Sequence, residues 1–192
     1  MLSGQGTRCR KDSMRIRHAR VEDAEAISRV HVDSWKTTYR GMVPDHVLDG
    51  LNYERNTLRW REMLSNIGEM KCFLVAETSD GQVVGFATGG PNRELDTGYN
   101  GELYAIYISN ENQNRGVGKR LVLNIALWLI HHRYTSMLVW VLEKNPAKYF
   151  YEALGGCYVS RKKIEIGSAL IDEISFGWPN LAEFVNAHVR KA

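Results

Sequence analysis

Residues 102–109, ELYAIYIS, are apolar at nearly every position, residues 119–130, KRLVLNIALWLI, carry apolar side chains at helical spacing, and between them lies QNRGVG at 113–118. A run that is apolar on both faces suits a strand covered from both sides, so it belongs inside a sheet rather than at its edge. The chain must then turn from strand to helix within a few residues, and Gly116 and Gly118 let the backbone approach a ligand closely or reach conformations closed to other residues. At the start of the helix, N–H groups point outward and favour an anion, and Lys119 and Arg120 add positive charge there. Counting excludes two nucleotide loops. A Walker A loop needs glycine where Gln113 stands and Ser or Thr where Arg120 stands. A Rossmann fingerprint needs a third glycine where Leu121 stands and an acidic residue about 20 positions later. Two readings stay open from the turn alone: an anion cradle, or glycines that serve only the geometry of the turn.

The flanking segments set the architecture. MRIRHARV at 14–21 reads as a strand entering a helix at Glu22 and Asp23, with Ala26, Ile27, Val30 and Ser34 at helical spacing until Arg40 and Gly41. Pro44 opens a second helix, carried by Val47, Leu48, Leu51, Leu58, Met63 and Leu64 toward Gly68. CFLVAETSDGQVVGFATGG then holds two strand-like runs around Ser79, Asp80 and Gly81, a hairpin signal. Beyond the central junction, the helix runs to about His132. MLVWVL at 137–142 reads as a buried strand, AKYFYEAL as a short helix ending at Gly155 and Gly156, YVSRKKIEI and ALIDEISFGW as two strands, and PNLAEFVNAHVRKA as a terminal helix. The order β-α-α-β-β-β-α-β-α-β-β predicts an α+β domain around one mixed sheet.

Composition narrows the function. A chain of 192 residues with 44% hydrophobic residues buries about 70% of its unfolded surface, which supports one core. We expect residues 1–13, MLSGQGTRCRKDS, to be a polar, disordered extension and 14–192 to be a single domain. The net charge of +3, with acids and bases interspersed, offers no footprint for nucleic acid or an anionic membrane. No run approaches the roughly 18 apolar residues of a membrane span, and the start lacks the apolar centre of a signal peptide. Cys9, Cys72 and Cys157 are odd in number and unrelated in spacing, which suits reduced thiols of a cytoplasmic protein, and Cys72 and Cys157 read as small buried hydrophobes. The six histidines form no metal-ligand spacing, so no metal is expected.

The pattern Gln-x-x-Gly-x-Gly after a strand, joined downstream to NPAKYFYEALGG, resembles the Gcn5-related N-acetyltransferase (GNAT) family, and the resemblance extends from Met14 to about Trp178. It implies a GNAT-type sheet, mostly antiparallel and flanked by helices, that binds acetyl-CoA as co-substrate. By position, the backbone of Ile106, Tyr107 and Ile108 would pair with the pantetheine arm. Asn114, Arg115, Gly116, Val117, Gly118 and Lys119 would cradle the pyrophosphate, and Asn145 would lie beside the arm. Asn114 departs from the glycine of many members, and its β-carbon is tolerable at negative φ.

The implied reaction moves an acetyl group to a primary amine of a small molecule or peptide by direct attack in a ternary complex. An alkyl amine with a pKa near 10.4 is neutral in only about one molecule in 10³ at pH 7, so a base or a desolvating site is needed. The resemblance places Tyr151 beside the sulfur as the acid and matches Glu102 to the catalytic glutamate of histone-acetylating relatives. In other members a glutamate stands where this chain has Trp140. The competing readings are that Tyr151 packs with Ala147 and Leu154 on one helix face, that Glu102 is a solvated strand end, and that a water chain removes the proton. SWKTTYRGMVPD at 34–45 folds over the acceptor side in the family. Trp35, Tyr39 and Arg40 are acceptor candidates there, Arg40 for a carboxylate, although Trp35 and Tyr39 are also spaced to staple two helices. Two alternatives remain, a non-catalytic CoA-binding sensor module and a transferase using a longer acyl-CoA. The terminal strands and helix also offer a surface for a homodimer.

Overall fold

The structure is a computed structural model and describes residues 14–189; the extension expected over residues 1–13 lies outside the described residues. Strand β1 (Arg15–His18) leads through a 3-10 turn at Val21–Asp23 into α1 (Ala24–Thr38). The Asp23 carboxylate secures that entry by accepting from the Arg20 N–H at 2.7 Å and from the Arg17 guanidinium at 2.7 and 2.8 Å. Its negative charge sits where the dipole of α1 is positive. The single helix expected from Pro44 to Gly68 is instead two, α2 (Asp45–Asp49) and α3 (Tyr53–Ser65). Asn52 causes the break: its backbone is extended, and its side-chain oxygen accepts from the Arg55 N–H at 2.9 Å, so it caps a new helix rather than continuing the old one.

The rest follows the expected order: β2 (Cys72–Glu77), β3 (Val83–Pro91), β4 (Gly101–Ile108), α4 (Val117–His131), β5 (Met137–Leu142), α5 (Ala147–Ala153), β6 (Cys157–Ile166), β7 (Ala169–Trp178) and α6 (Leu181–Val189). The strands form one seven-stranded sheet in the order β1-β2-β3-β4-β5-β7-β6, antiparallel throughout except for the parallel pair β4 and β5. This is the mixed, mostly antiparallel α+β sheet flanked by helices that the sequence predicts.

Each face of the sheet has its own core. Leu121, Val122, Ile125, Ala126 and Leu129 of α4 are fully buried against Leu103, Met137 and Val139, and α6 adds Leu181, Phe184 and Val185. On the opposite face α1 and α3 bury Ile27, Val30, Trp60 and Leu64 against Phe73, Val75 and Phe86. Residues alternate along β2, Phe73 and Val75 to one side and Leu74 and Ala76 to the other, as the pleat requires. Each such Leu, Ile or Phe side chain stabilises the fold by about 1.5–3 kcal/mol relative to exposure. Cys72 lies in this core as expected, and its thiol pKa is pushed up to about 12 by burial. Cys157 does not: it is exposed, because it begins the edge strand β6.

One irregularity sets up the site. β4 and β5 pair only at Gly101–Met137, Glu102–Leu138 and Leu103–Val139, and then part. At the same level Leu103 opposes Gly89 while Ala105 opposes Thr88, so Tyr104 is the extra residue of a bulge that bends β4. Gly89 and Gly90 make the bend possible. A β-carbon on Gly89 would lie 2.9 Å from the Glu102 carbonyl oxygen, and one on Gly90 2.6 Å from that of Met70.

Candidate active site

Where β4 leaves β5, a cavity of about 410 Å³ opens between Tyr104–Ile108 on one wall and Val139–Val141 on the other. The N–H and C=O groups on that edge of β4 face no strand beyond Leu103. Backbone groups of this kind require partners, and an extended molecule carrying amides of its own would supply them in place of a strand.

The turn that follows closes one end. Gln113 donates from its amide nitrogen to the Ile108 carbonyl and to the Asn110 side chain, both at 3.1 Å, which fixes the end of β4. Asn114 has φ +59°, so the condition set for its β-carbon, a φ that is not positive, is not met. Asparagine is among the few L-residues that enter the left-handed region readily, which is why it can stand at this position. The two glycines do different work. Gly116 has φ +78° and open space around its missing β-carbon, so its conformation is what demands glycine. Gly118, in the first turn of α4, lies within reach of Phe150 and Ile108, whose atoms a β-carbon would approach to 3.0 and 3.2 Å, so close packing is what demands it. Gln113, Asn114, Gly116, Gly118 and Lys119 reach the cavity wall, whereas Val117 turns its side chain into the core and Arg115 is exposed outside that wall.

Asn145 and Tyr151 line the same cavity. Asn145 is buried; its N–H donates to the Leu142 carbonyl at 2.8 Å and its side-chain oxygen accepts from the Ala147 N–H at 2.9 Å, so it ties the end of β5 to the start of α5. That junction directs Tyr151 inward among Phe150, Phe176 and Trp178, with its ring on the cavity wall. Burial, and secondarily the nearby Tyr39, hold its phenol above the ordinary value of 10.0, so it stays protonated at neutral pH.

Among the acceptor candidates, only Tyr39 reaches the cavity wall. Its ring packs on Trp35 at 4.7 Å, and burial raises its phenol against the opposing influence of the Tyr107 and Asn145 side chains. Trp35 stands one layer back and donates from Nε1 to the Tyr107 hydroxyl at 2.9 Å. Arg40 is a correction: its guanidinium donates to Asp45 at 3.0 Å and to Asp49 at 3.3 Å, holding α2 rather than facing the cleft.

Glu102 is not brought to the cavity. It lies on the paired part of β4, is 1% exposed, and accepts from the Arg93 backbone N–H at 3.0 Å, from Arg93 Nε at 3.0 and 3.1 Å and from Arg93 Nη2. With its oxygens committed to Arg93 in this way it is an anchor for the β3–β4 connection. The structure adds an acid that the sequence reading missed, Glu173 on β7. It is cross-strand neighbour to Leu142 and Lys162, and burial raises its carboxyl, with Lys162 opposing. The signal lay in strand parity. Ile174 and Phe176 enter the α4 core, so Glu173 and Ser175 face the other side. Among the described residues no cluster of three or more His, Cys, Asp or Glu side chains is arranged to hold a metal ion, and no helix is long and apolar enough to cross a membrane.

Comparison with known proteins gives a consistent result. The Acetyltransferase (GNAT) family model matches residues 32–156. YuaI of Bacillus subtilis, named as an uncharacterised N-acetyltransferase, is 40% identical over 87% of this chain and 94% of its own length. Among solved structures, yncA from Salmonella typhimurium with acetyl-CoA superposes with a TM-score of 0.65 at 19% identity, covering 88% of this chain and 94% of that one. The PaiA N-acetyltransferase of Thermoplasma acidophilum in complex with coenzyme A does so with a TM-score of 0.59 at 23% identity, covering 84% and 98%. The turn between β4 and α4, the parted strands and the Asn145–Tyr151 segment all fall inside the matched region, and the chain belongs to the GNAT acetyltransferase family.

Proposed function

We propose that this protein transfers an acetyl group from acetyl-CoA to a primary amine of a small molecule or peptide, by direct attack in a ternary complex. One observation supports the reading: β4 and β5 part after three residue pairs, leaving an edge of unpaired backbone in a cavity that the turn before α4 and a buried, protonated tyrosine also line. The residues present fit the coenzyme. Ile106, Tyr107 and Ile108 offer strand-like backbone to a pantetheine arm, with Asn145 opposite. The turn from Asn114 to Lys119 offers helix N-terminal N–H groups and an ammonium to a diphosphate.

When bound, the thioester supplies an acetyl carbon open to attack by a neutral amine. Tyr151 holds a proton at Oη for the departing sulfur. Its raised pKa makes it a weaker acid than a thiol near 8.5, so its contribution falls at the lower end of general acid catalysis, about 10²-fold. With Glu102 locked to Arg93, removal of the amine proton passes to water at the open side of the cleft. The test is thiol release from acetyl-CoA across a panel of amines. Tight CoA binding without turnover of any amine would favour a non-catalytic CoA-binding module, and faster release from butyryl-CoA than from acetyl-CoA would make the donor a longer acyl-CoA.

A further inference from the structure

Cross-strand neighbours share a face of a sheet. The pairs Leu142–Glu173 and Glu173–Lys162 therefore set Trp140, Glu173 and Lys162 on the side covered by Val43 and Leu48. That is the side from which Tyr39 reaches the cleft. Here Lys162 Nζ lies 3.7 Å from the centroid of the Trp140 ring, pairs with Glu94 from the β3–β4 connection, and lies 3.6 Å from Glu173. An aromatic face with two carboxylates is a seat for an alkylammonium, and Lys162 shows that one fits. Two facts point beyond a structural lysine. Trp140 lines both the cleft between β4 and β5 and a neighbouring cavity of about 630 Å³ that Glu94 and Lys162 also line. Lys162 itself is about a third exposed, on a flexible four-carbon stem that can swing to solvent.

Resting on the acetyltransferase reading, we propose that Trp140, Glu94 and Glu173 form a subsite for a second cationic group of the acceptor. The acceptor is then an alkyl amine carrying two or more ammonium groups, and Lys162 is a displaceable occupant of the seat. One amine meets the thioester while the other is held against Trp140. The two carboxylates keep the seated group protonated, so it is an anchor and not a second nucleophile.

The experiment compares diaminobutane with butylamine, by calorimetric titration into the CoA-bound protein and by acetyl-CoA turnover. Expected are tighter binding and a kcat/KM higher by about tenfold or more for the diamine, the factor that a discriminating contact of about 1.4 kcal/mol produces. Glu94→Gln and Glu173→Gln should each shrink that ratio, and Lys162→Met should lower the diamine KM by emptying the seat. Equal binding and turnover of the two amines would overturn the subsite while leaving the transferase reading intact. Selective binding of the diamine with no turnover of any amine would do the reverse. A rise in the diamine KM with Lys162→Met would also overturn the proposal, because it would make the lysine a fixed contact rather than an occupant.

Discussion

Tyr151 and Glu102 are both buried, at 5% and 1% exposure, but burial acts on them in opposite ways. The phenol is neutral, so desolvation only strengthens its hold on its proton. The carboxylate is charged, so it stays buried only because Arg93 answers it. Tyr151→Phe is therefore expected to lower kcat by about 10–100-fold with little change in KM for acetyl-CoA or in Tm, read by steady-state kinetics and calorimetry. Glu102→Gln should lower Tm, by an amount on the order of 1–3 kcal/mol of stability, while kcat of the folded protein stays within about threefold. A collapse of kcat with Tm unchanged would restore Glu102 as the base. His31 gives the pH dependence. Its ring stacks on Tyr107 at 5.1 Å with Trp35, Trp60 and Phe86 edge-on, and burial, opposed by Asn56 and aided by Arg59, lowers its pKa from 6.5 to about 4. The unfolded chain protonates this group at a higher pH than the folded one. Its stabilising contribution is thus complete above 6.5 and is lost as pH falls toward 4. Between about pH 7 and pH 5 the loss is about 2 kcal/mol, measurable by urea unfolding and flattened in His31→Phe. Asp23 and Glu77, held low by Arg17 and its neighbours, titrate below that window.

At the level of elements, the strand-turn-helix junction was readable and the bulge before it was not. A strand covered on both faces must be apolar on both faces, and α4 must repeat its apolar residues every turn, so ELYAIYIS and KRLVLNIALWLI announce themselves locally. The bulge at Tyr104 arises from register between two strands, and the only trace it leaves is Gly89-Gly90 inside β3, a pair that equally suits a strand end. Glu102 shows the same limit: a carboxylate looks alike in sequence whether it is solvated or claimed by an arginine that a loop brings back from nine residues away. The sign of φ at Asn114 was also hidden, because asparagine serves turns of either kind. The two glycines of the turn allow a direct check. Gly116→Ala meets open space but must hold positive φ at a cost of about 1–2 kcal/mol, so the turn should relax and CoA affinity fall about tenfold with little loss of Tm. Gly118→Ala instead forces a β-carbon against Phe150 and should lower Tm as well, by the equivalent of about 1–3 kcal/mol. Asn114→Gly should bind CoA as the parent does. Titration calorimetry and thermal melts on the three variants separate conformation from packing.

For the molecule as a whole, the parted strands mean that the sheet is nearly two sheets. β1 to β4 form one body and β5, β7 and β6 another, joined through three residue pairs, with α4 packed over the seam and Asn145 and Tyr151 lining the gap together with the turn. A ligand lying in the gap would supply β4 with the edge partner that β5 withholds, so binding and stability should be linked. At free CoA about 100 times its Kd, linkage gives about 2.7 kcal/mol. For a chain of this size each kcal/mol moves Tm by about 2–4 °C, so calorimetry should show a rise of about 5–10 °C. The source of the rise can be divided. In the proposed placement, adenosine diphosphate would reach only the turn at the start of α4, and pantetheine only the gap between the strands. If the unpaired edge of β4 is what the coenzyme completes, pantetheine at saturation should retain a clear share of the shift, and adenosine diphosphate should fall well short of CoA. A full shift with adenosine diphosphate alone would mean that the turn does all the binding and that the parted strands serve something other than the coenzyme arm.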